Sequence, residues 1–169
     1  MAIIRLEPIH IAYADKVAET RQFEVTRLGR KAMHGESTST TESLARHTLG
    51  ARCEAAAKLY LSPIKWNALA ENLRDLPDLG DFIDVKGVTN PAHRMIVHPE
   101  ANPRWAFLLV NAADHPLYFM AGWCWGCDAQ RSRYWRDPTG NRPAYFIPQD
   151  DLRPAGELYD IVRQREARK

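Results

Sequence analysis

Cysteine is scarce in this chain, with three residues among 169. So small and odd a number excludes a disulfide-stapled scaffold and agrees with a reducing compartment. Long hydrophobic runs are missing too. The longest charge-free apolar stretch, Leu117 to Cys127, is broken by two glycines and falls well short of the ~18 residues needed to cross a bilayer. Arg5 and Glu7 enter early, leaving no uninterrupted apolar segment for a secretory signal, so the expectation is a cytoplasmic protein with no membrane partner. An excess of charge of either sign is also lacking: 23 basic against 21 acidic side chains leave a net charge of +2. That excludes a highly basic packaging protein and makes any contact with nucleic acid local. What remains, 45% hydrophobic and 26% charged residues, is ordinary globular composition on a chain with room for one core.

The periodicity divides the chain. Ala14, Val17, Ala18, Val25, Leu28 and Ala32 recur on one helical face and predict a helix over 9–33, with Gly35 as its C-terminal cap. The hydroxyl-rich stretch Ser37–Thr41 reads as a linker, and Thr41 or Ser43 as the cap of a second helix running to about Leu61, before Pro63. Ala51, Ala55, Ala56 and Ala57 suit close packing of that helix on a sheet. A third short helix is expected over Ile64 to Arg74. Then come short apolar runs with turn punctuation, Phe82–Val88, Arg94–Val97, Trp105–Val110 and Leu117–Trp125, which predict a sheet of four or five strands. A short strand at Ala144–Ile147 and a terminal helix from about Gly156 with a basic tail complete the order. Helices first, sheet second and helix last imply an α+β (mixed α/β) single domain over 1–169: a helical N-terminal region (1–42), a core (43–148) and a C-terminal helix and tail (149–169).

The acids are concentrated. Glu71, Asp75, Asp78, Asp81 and Asp84 lie within sixteen residues that hold only Arg74 and Lys86 as bases. A solvated helix end explains most acid clusters, but Asp84 and Lys86 sit inside the apolar strand Phe82-Ile-Asp-Val-Lys-Gly-Val88, where alternation turns Phe82, Asp84 and Lys86 to one face. Leu79-Gly80 offers a turn that folds the chain back. A two-residue turn sets Asp75 opposite Asp84, whereas a wider one brings Asp78 closer. Either gathers two carboxylates and a lysine at one sheet end. Hard oxygen donors of this kind suit Mg²⁺ or Mn²⁺ and a phosphate substrate.

Pro77-Asp78, five residues, then Asp84-Val85-Lys86 resembles the PD-(D/E)XK signature of restriction-endonuclease-like nucleases. The helix Leu49-Gly-Ala-Arg-Cys-Glu-Ala-Ala-Ala-Lys-Leu-Tyr-Leu61 is similar to that superfamily's first core helix, in which a glutamate faces the site. Downstream, Arg94 to Pro99, Trp105 to Val110, and Gly122-Trp123 followed by Asp128-Ala-Gln-Arg131 resemble small phage and bacterial members. The resemblance spans roughly 43 to 148. It implies a restriction-endonuclease-like core and metal-dependent hydrolysis of DNA to 5′-phosphate and 3′-hydroxyl ends, in a bacterial or phage-infected host cell. It also implies that Asp78, Asp84 and the Val85 carbonyl hold the metal, that Glu54 binds it directly or through water, and that Lys86 serves the attacking water. The short gap between Asp78 and Asp84 departs from the superfamily, which leaves Asp75 and Asp81 as alternative second acids. Double-strand cleavage by one site per chain would favour a homodimer.

Three further groups are read beside the site. His47 and Glu54 share a helical face, so His47 is either a packed residue or a phosphate contact. Arg21 interrupts the first helix's apolar stripe as a phosphate clamp, a partner for Glu54, or a packed stem with an exposed head. Arg131, among Trp123, Trp125, Tyr134 and Trp135, belongs to a mixture able to stack bases and hold phosphates, with Trp123 and Trp125 read as core and Tyr134 and Trp135 as surface. Cys124 and Cys127 make a single CxxC, which leaves zinc dependent on histidines. The rival functions are an inactive nuclease-like DNA-binding or virion-associated protein, and a small Cys/His metal-binding module.

Overall fold

The computed structural model describes residues 2–27, 39–69 and 76–168. Their order is β1 (Ala2–Arg5), α1 (Pro8–Arg27), α2 (Thr40–Tyr60), β2 (Ile83–Val88), β3 (Met95–Val97), β4 (Ala106–Asp114), β5 (Leu117–Trp125), α3 (Gly126–Ala129), β6 (Trp135–Arg136), β7 (Ala144–Ile147) and α4 (Ala155–Glu166). This is an α+β domain. Its main sheet is mixed, with strand order β1-β5-β4-β2; β2 runs parallel to β4 and the other pairs are antiparallel. No helix among the described residues is long and apolar enough to cross a membrane.

The alanines of α2 matter because they let the helix approach the sheet closely. Ala51, Ala56 and Ala57 are fully buried, and a Cβ added at Gly87 on β2 would lie 2.7 Å from Cys53 Sγ. Only a glycine lets strand and helix meet at that distance. On its other side α2 packs against α1 through Ala14, Val17 and Ala18. Two arginine forks cross between these helices: Arg52 to Asp15 and Arg21 to Glu54, each with both bonds at 2.7 Å.

Several sequence expectations are corrected. The α2 N-cap is Ser39, whose side chain accepts from the Glu42 N–H while Glu42 reaches back to the Ser39 N–H; this reciprocal box satisfies two free donors where Thr41 or Ser43 would satisfy fewer. α1 ends its described span at Arg27, and its expected extension to residue 33, with the Gly35 cap, falls outside the described residues. Over the described part of the expected third helix, residues 64–69 instead form turns and a bridge from Trp66 to Leu79; the rest of that expected helix, 70–74, lies outside the described residues. The reason is competition: the Asn67 N–H bonds the Asp78 carbonyl and its side chain bonds the Pro77 and Gly80 carbonyls, partners that a local helix cannot offer. Met95–Val97 does not join the main sheet but pairs with β7, which also pairs with β6. This smaller sheet packs on the opposite face of the main sheet from α2, around Met95, Val97, Phe107, Leu109 and Ile147.

Candidate active site

The turn before β2 fixes the site. Leu79 and Ile83 exchange both backbone hydrogen bonds, closing a three-residue loop in which Gly80 holds φ at 60°, a left-handed conformation that glycine adopts without penalty. The wider of the two expected turns is therefore formed, and Asp78 falls beside β2: its Oδ2 accepts the Val85 N–H at 2.7 Å. The Asn67 side chain braces the loop through the Pro77 and Gly80 carbonyls, at 2.8 and 2.7 Å.

Asp84 and Lys86 share one face of β2, as alternation requires. Lys86 Nζ stands 2.6 Å from Asp84 Oδ2 and 5.6 Å from the centroid of Phe107, the residue beside Asp84 in the β4 register. Asp84 Oδ2 is shut off from solvent and, among the described residues, has this ion pair and no aligned hydrogen-bond donor. Burial and the nearby Glu54 and Asp84 charges push the Asp78 carboxyl well above the usual carboxylate range, against the Val85 N–H and Lys86 that pull it down. For Lys86, burial opposes the charged form, but Asp84 and then Asp78 and Glu54 outweigh it and raise the ammonium pKa. Asp84 is the principal acid acting on this ammonium.

Glu54 is buried on α2 and fully engaged. Arg21 Nη1 and Nη2 donate to its two oxygens, and Trp66 Nε1 adds a third bond at 2.7 Å. Arg21 is consequently the partner of Glu54, and its guanidinium is buried with the carboxylate rather than offered to a phosphate. His47 lies close enough to feel both charges; burial and then Arg21 lower its pKa, with Glu54 opposing. Asp81 points away, 74% exposed and facing Arg165 at 4.0 Å, so the structure does not bring it to the site. Asp75 lies outside the described residues.

Arg131 is not at the site either. It is bonded to Asp128 and lines a separate hollow with Arg133, Asp151 and Arg153. Tyr134, expected at the surface, is buried and donates to Asp151, while Trp135 is exposed and Trp123 is core. Cys53 and Cys124 are buried, each with its thiol pushed up to about 12 by burial first. Cys127 is exposed.

Sequence reasoning missed Trp66 and Asn67. They act over 12 residues or about that distance along the chain, and no spacing pattern marks them. Among the described residues no group of three His, Cys, Asp or Glu side chains forms a metal cluster, and Glu54 is bonded to Arg21 and Trp66. Two carboxylates remain, one with a buried oxygen lacking an aligned donor and the other disfavoured as an anion. That donor set fits a hard divalent cation, which commonly takes one or two carboxylates and fills its shell with water and phosphate oxygens. No family model, curated protein or solved structure matches the chain.

Proposed function

We propose that this protein is a metal-dependent nuclease that hydrolyses DNA phosphodiester bonds, with Asp78 and Asp84 as Mg²⁺ or Mn²⁺ ligands and Lys86 as the cationic group at the reacting phosphate. The observation that carries the reading is the convergence of Asp78, Asp84 and Lys86 at the start of β2, from a turn and a strand, with the Asp78 carboxylate pinned on the Val85 N–H at 2.7 Å. The restriction-endonuclease-like resemblance supports the same roles and adds the Val85 carbonyl as a ligand.

When bound, the cation supplies charge neutralisation at the phosphate and acidifies a water. The chain's own groups do the rest. Asp78 and Asp84 hold their oxygens in place through the Val85 N–H and the β2 backbone. Lys86, held as an ammonium chiefly by Asp84, is a donor rather than a base, so it stabilises negative charge developing on the phosphoryl oxygens. Water oxygen bonds to phosphorus, the bond from phosphorus to the 3′-oxygen breaks, and a proton passes to that oxygen, leaving 5′-phosphate and 3′-hydroxyl ends.

Glu54 takes a different role from the one its family position implies. With both oxygens bonded to Arg21 and Trp66, it is a positioning residue that fixes α2 and the 64–69 segment around the site. The same observation favours a second reading, a nuclease-like protein that binds DNA without cutting it. Incubating plasmid and linear DNA with Mg²⁺ or Mn²⁺ and with EDTA separates the two. The nuclease cuts only with the cation, and binding without cutting under every divalent ion supports the rival.

A further inference from the structure

Beside Lys86 a trough of about 630 Å³ opens between α2 and the smaller sheet. Its fixed cations are Arg94 and Lys86, the latter paired with Asp84 at 2.6 Å, and none of the described residues lining it is acidic. Most of the remaining lining is apolar, including Leu49, Ile96 and Phe146. Ile96 and Phe146 are paired across β3 and β7, on the face of the smaller sheet turned away from the core, where Ile96 is 42% exposed. A second hollow of about 750 Å³ shares the same two side chains and continues past them toward Glu100 and Arg142. The rim is fixed: Gln149 Nε2 donates to the Pro91 and His93 carbonyls, both at 2.7 Å.

Resting on the nuclease reading, we propose that this trough takes a single-stranded stretch of DNA, with phosphates at Arg94 and Lys86 and an unpaired base laid on the Ile96–Phe146 pair. The charge argument is complementarity, since the fixed charges of the described lining, Arg94 and Lys86, are both positive and stand beside the reacting groups, which suits a polyanion. The apolar floor selects between forms of that polyanion. A duplex presents phosphates and polar groove edges, which gain nothing from an isoleucine and a phenylalanine. An unpaired base presents an apolar face that an aromatic side chain stacks on regardless of its identity. The substrate class is therefore single strands, frayed ends or flaps rather than uninterrupted duplex.

The test is fluorescence anisotropy with the full-length Asp84→Asn chain in Mg²⁺, using a labelled mixed-sequence single strand and the same sequence as a blunt duplex. The expected result is at least ~10-fold tighter binding of the single strand, lost by ~10-fold in an added Phe146→Ala or Phe146→Leu change but little altered for duplex. Arg94→Ala should weaken both forms and reduce the salt slope by about 1. Equal binding of the two forms, or single-strand affinity unchanged in a folded Phe146→Leu chain, overturns the trough assignment while leaving cation-dependent cleavage intact. Failure of the unsubstituted chain to cut or bind any DNA overturns the nuclease reading itself.

Discussion

Arg21 and Glu54 meet as a two-point fork inside the protein, 2.7 Å on each arm, with side chains about a tenth exposed or less. The pair engages the one site acid carried on a helix, and it locks α1 to α2 close enough to Asp78 for Arg21 to feel its charge. Its energetic character follows from burial. Removing one partner leaves a desolvated charge without compensation, whereas removing both leaves only a polar hole.

Arg21→Ala and Glu54→Ala are therefore each expected to cost about 3 kcal/mol, and the double substitution less than the sum of the two. Urea unfolding of the four chains in a double-mutant cycle measures this. Additive losses would show that the fork is not the interaction that matters.

Asp78 should make stability depend on pH in an unusual direction for a carboxylate. Its pKa is raised in the fold, so the penalty is absent where the group is protonated in both states. It grows as pH climbs from the unfolded carboxylate value toward the folded one, and it is fully present above that. Asp78→Asn keeps an acceptor for the Val85 N–H and removes the charge. In EDTA the variant should melt higher than wild type at pH 8 and equal to it near pH 3, and Mg²⁺ should raise the melting temperature of wild type only. Melting curves across pH with and without the cation check both parts.

Much of this site was legible. The alternation in Phe82–Val88 places Asp84 and Lys86 on one face, where their side chains meet at 2.6 Å. The turn width was not, because Leu79-Gly80 admits two registers; a tertiary brace from Asn67 accompanies the one formed. Arg21 was readable as a partner for Glu54 but not distinguishable from a solvated stem, since pairing across 33 residues leaves no local mark. β1 leaves no legible mark in the sequence, because four residues carrying Arg5 at a sheet edge give too short a pattern. Met95–Val97 looked like any strand of the main sheet, and its choice of β7 is a long-range pairing that a three-residue run does not encode.

Gly87 is set by the distance from β2 to α2. Gly87→Ala would drive a methyl to 2.7 Å from Cys53 Sγ, and overpacking of this kind costs about 1–3 kcal/mol. Adding Cys53→Ala should recover most of the loss, as read by denaturant midpoints. No recovery would place the strain in the strand backbone instead.

Asn67 holds the loop that aims Asp78, so Asn67→Ala should lower cleavage more than it lowers DNA binding. Raising Mg²⁺ should partly restore the rate, because the ligand is displaced rather than removed. Cation titrations of the cleavage rate check this, and an unchanged cation dependence would make Asn67 purely structural.

The most direct test compares cleavage of the same DNA in Mg²⁺ by wild type, Asp78→Asn, Asp84→Asn and Lys86→Met, with binding measured alongside. Each substitution should reduce the rate by on the order of 10² or more, as losing a group that stabilises transition-state charge does, while each chain still folds and binds. Cleavage that survives Asp84→Asn and Lys86→Met at the wild-type rate would place the chemistry elsewhere in the molecule.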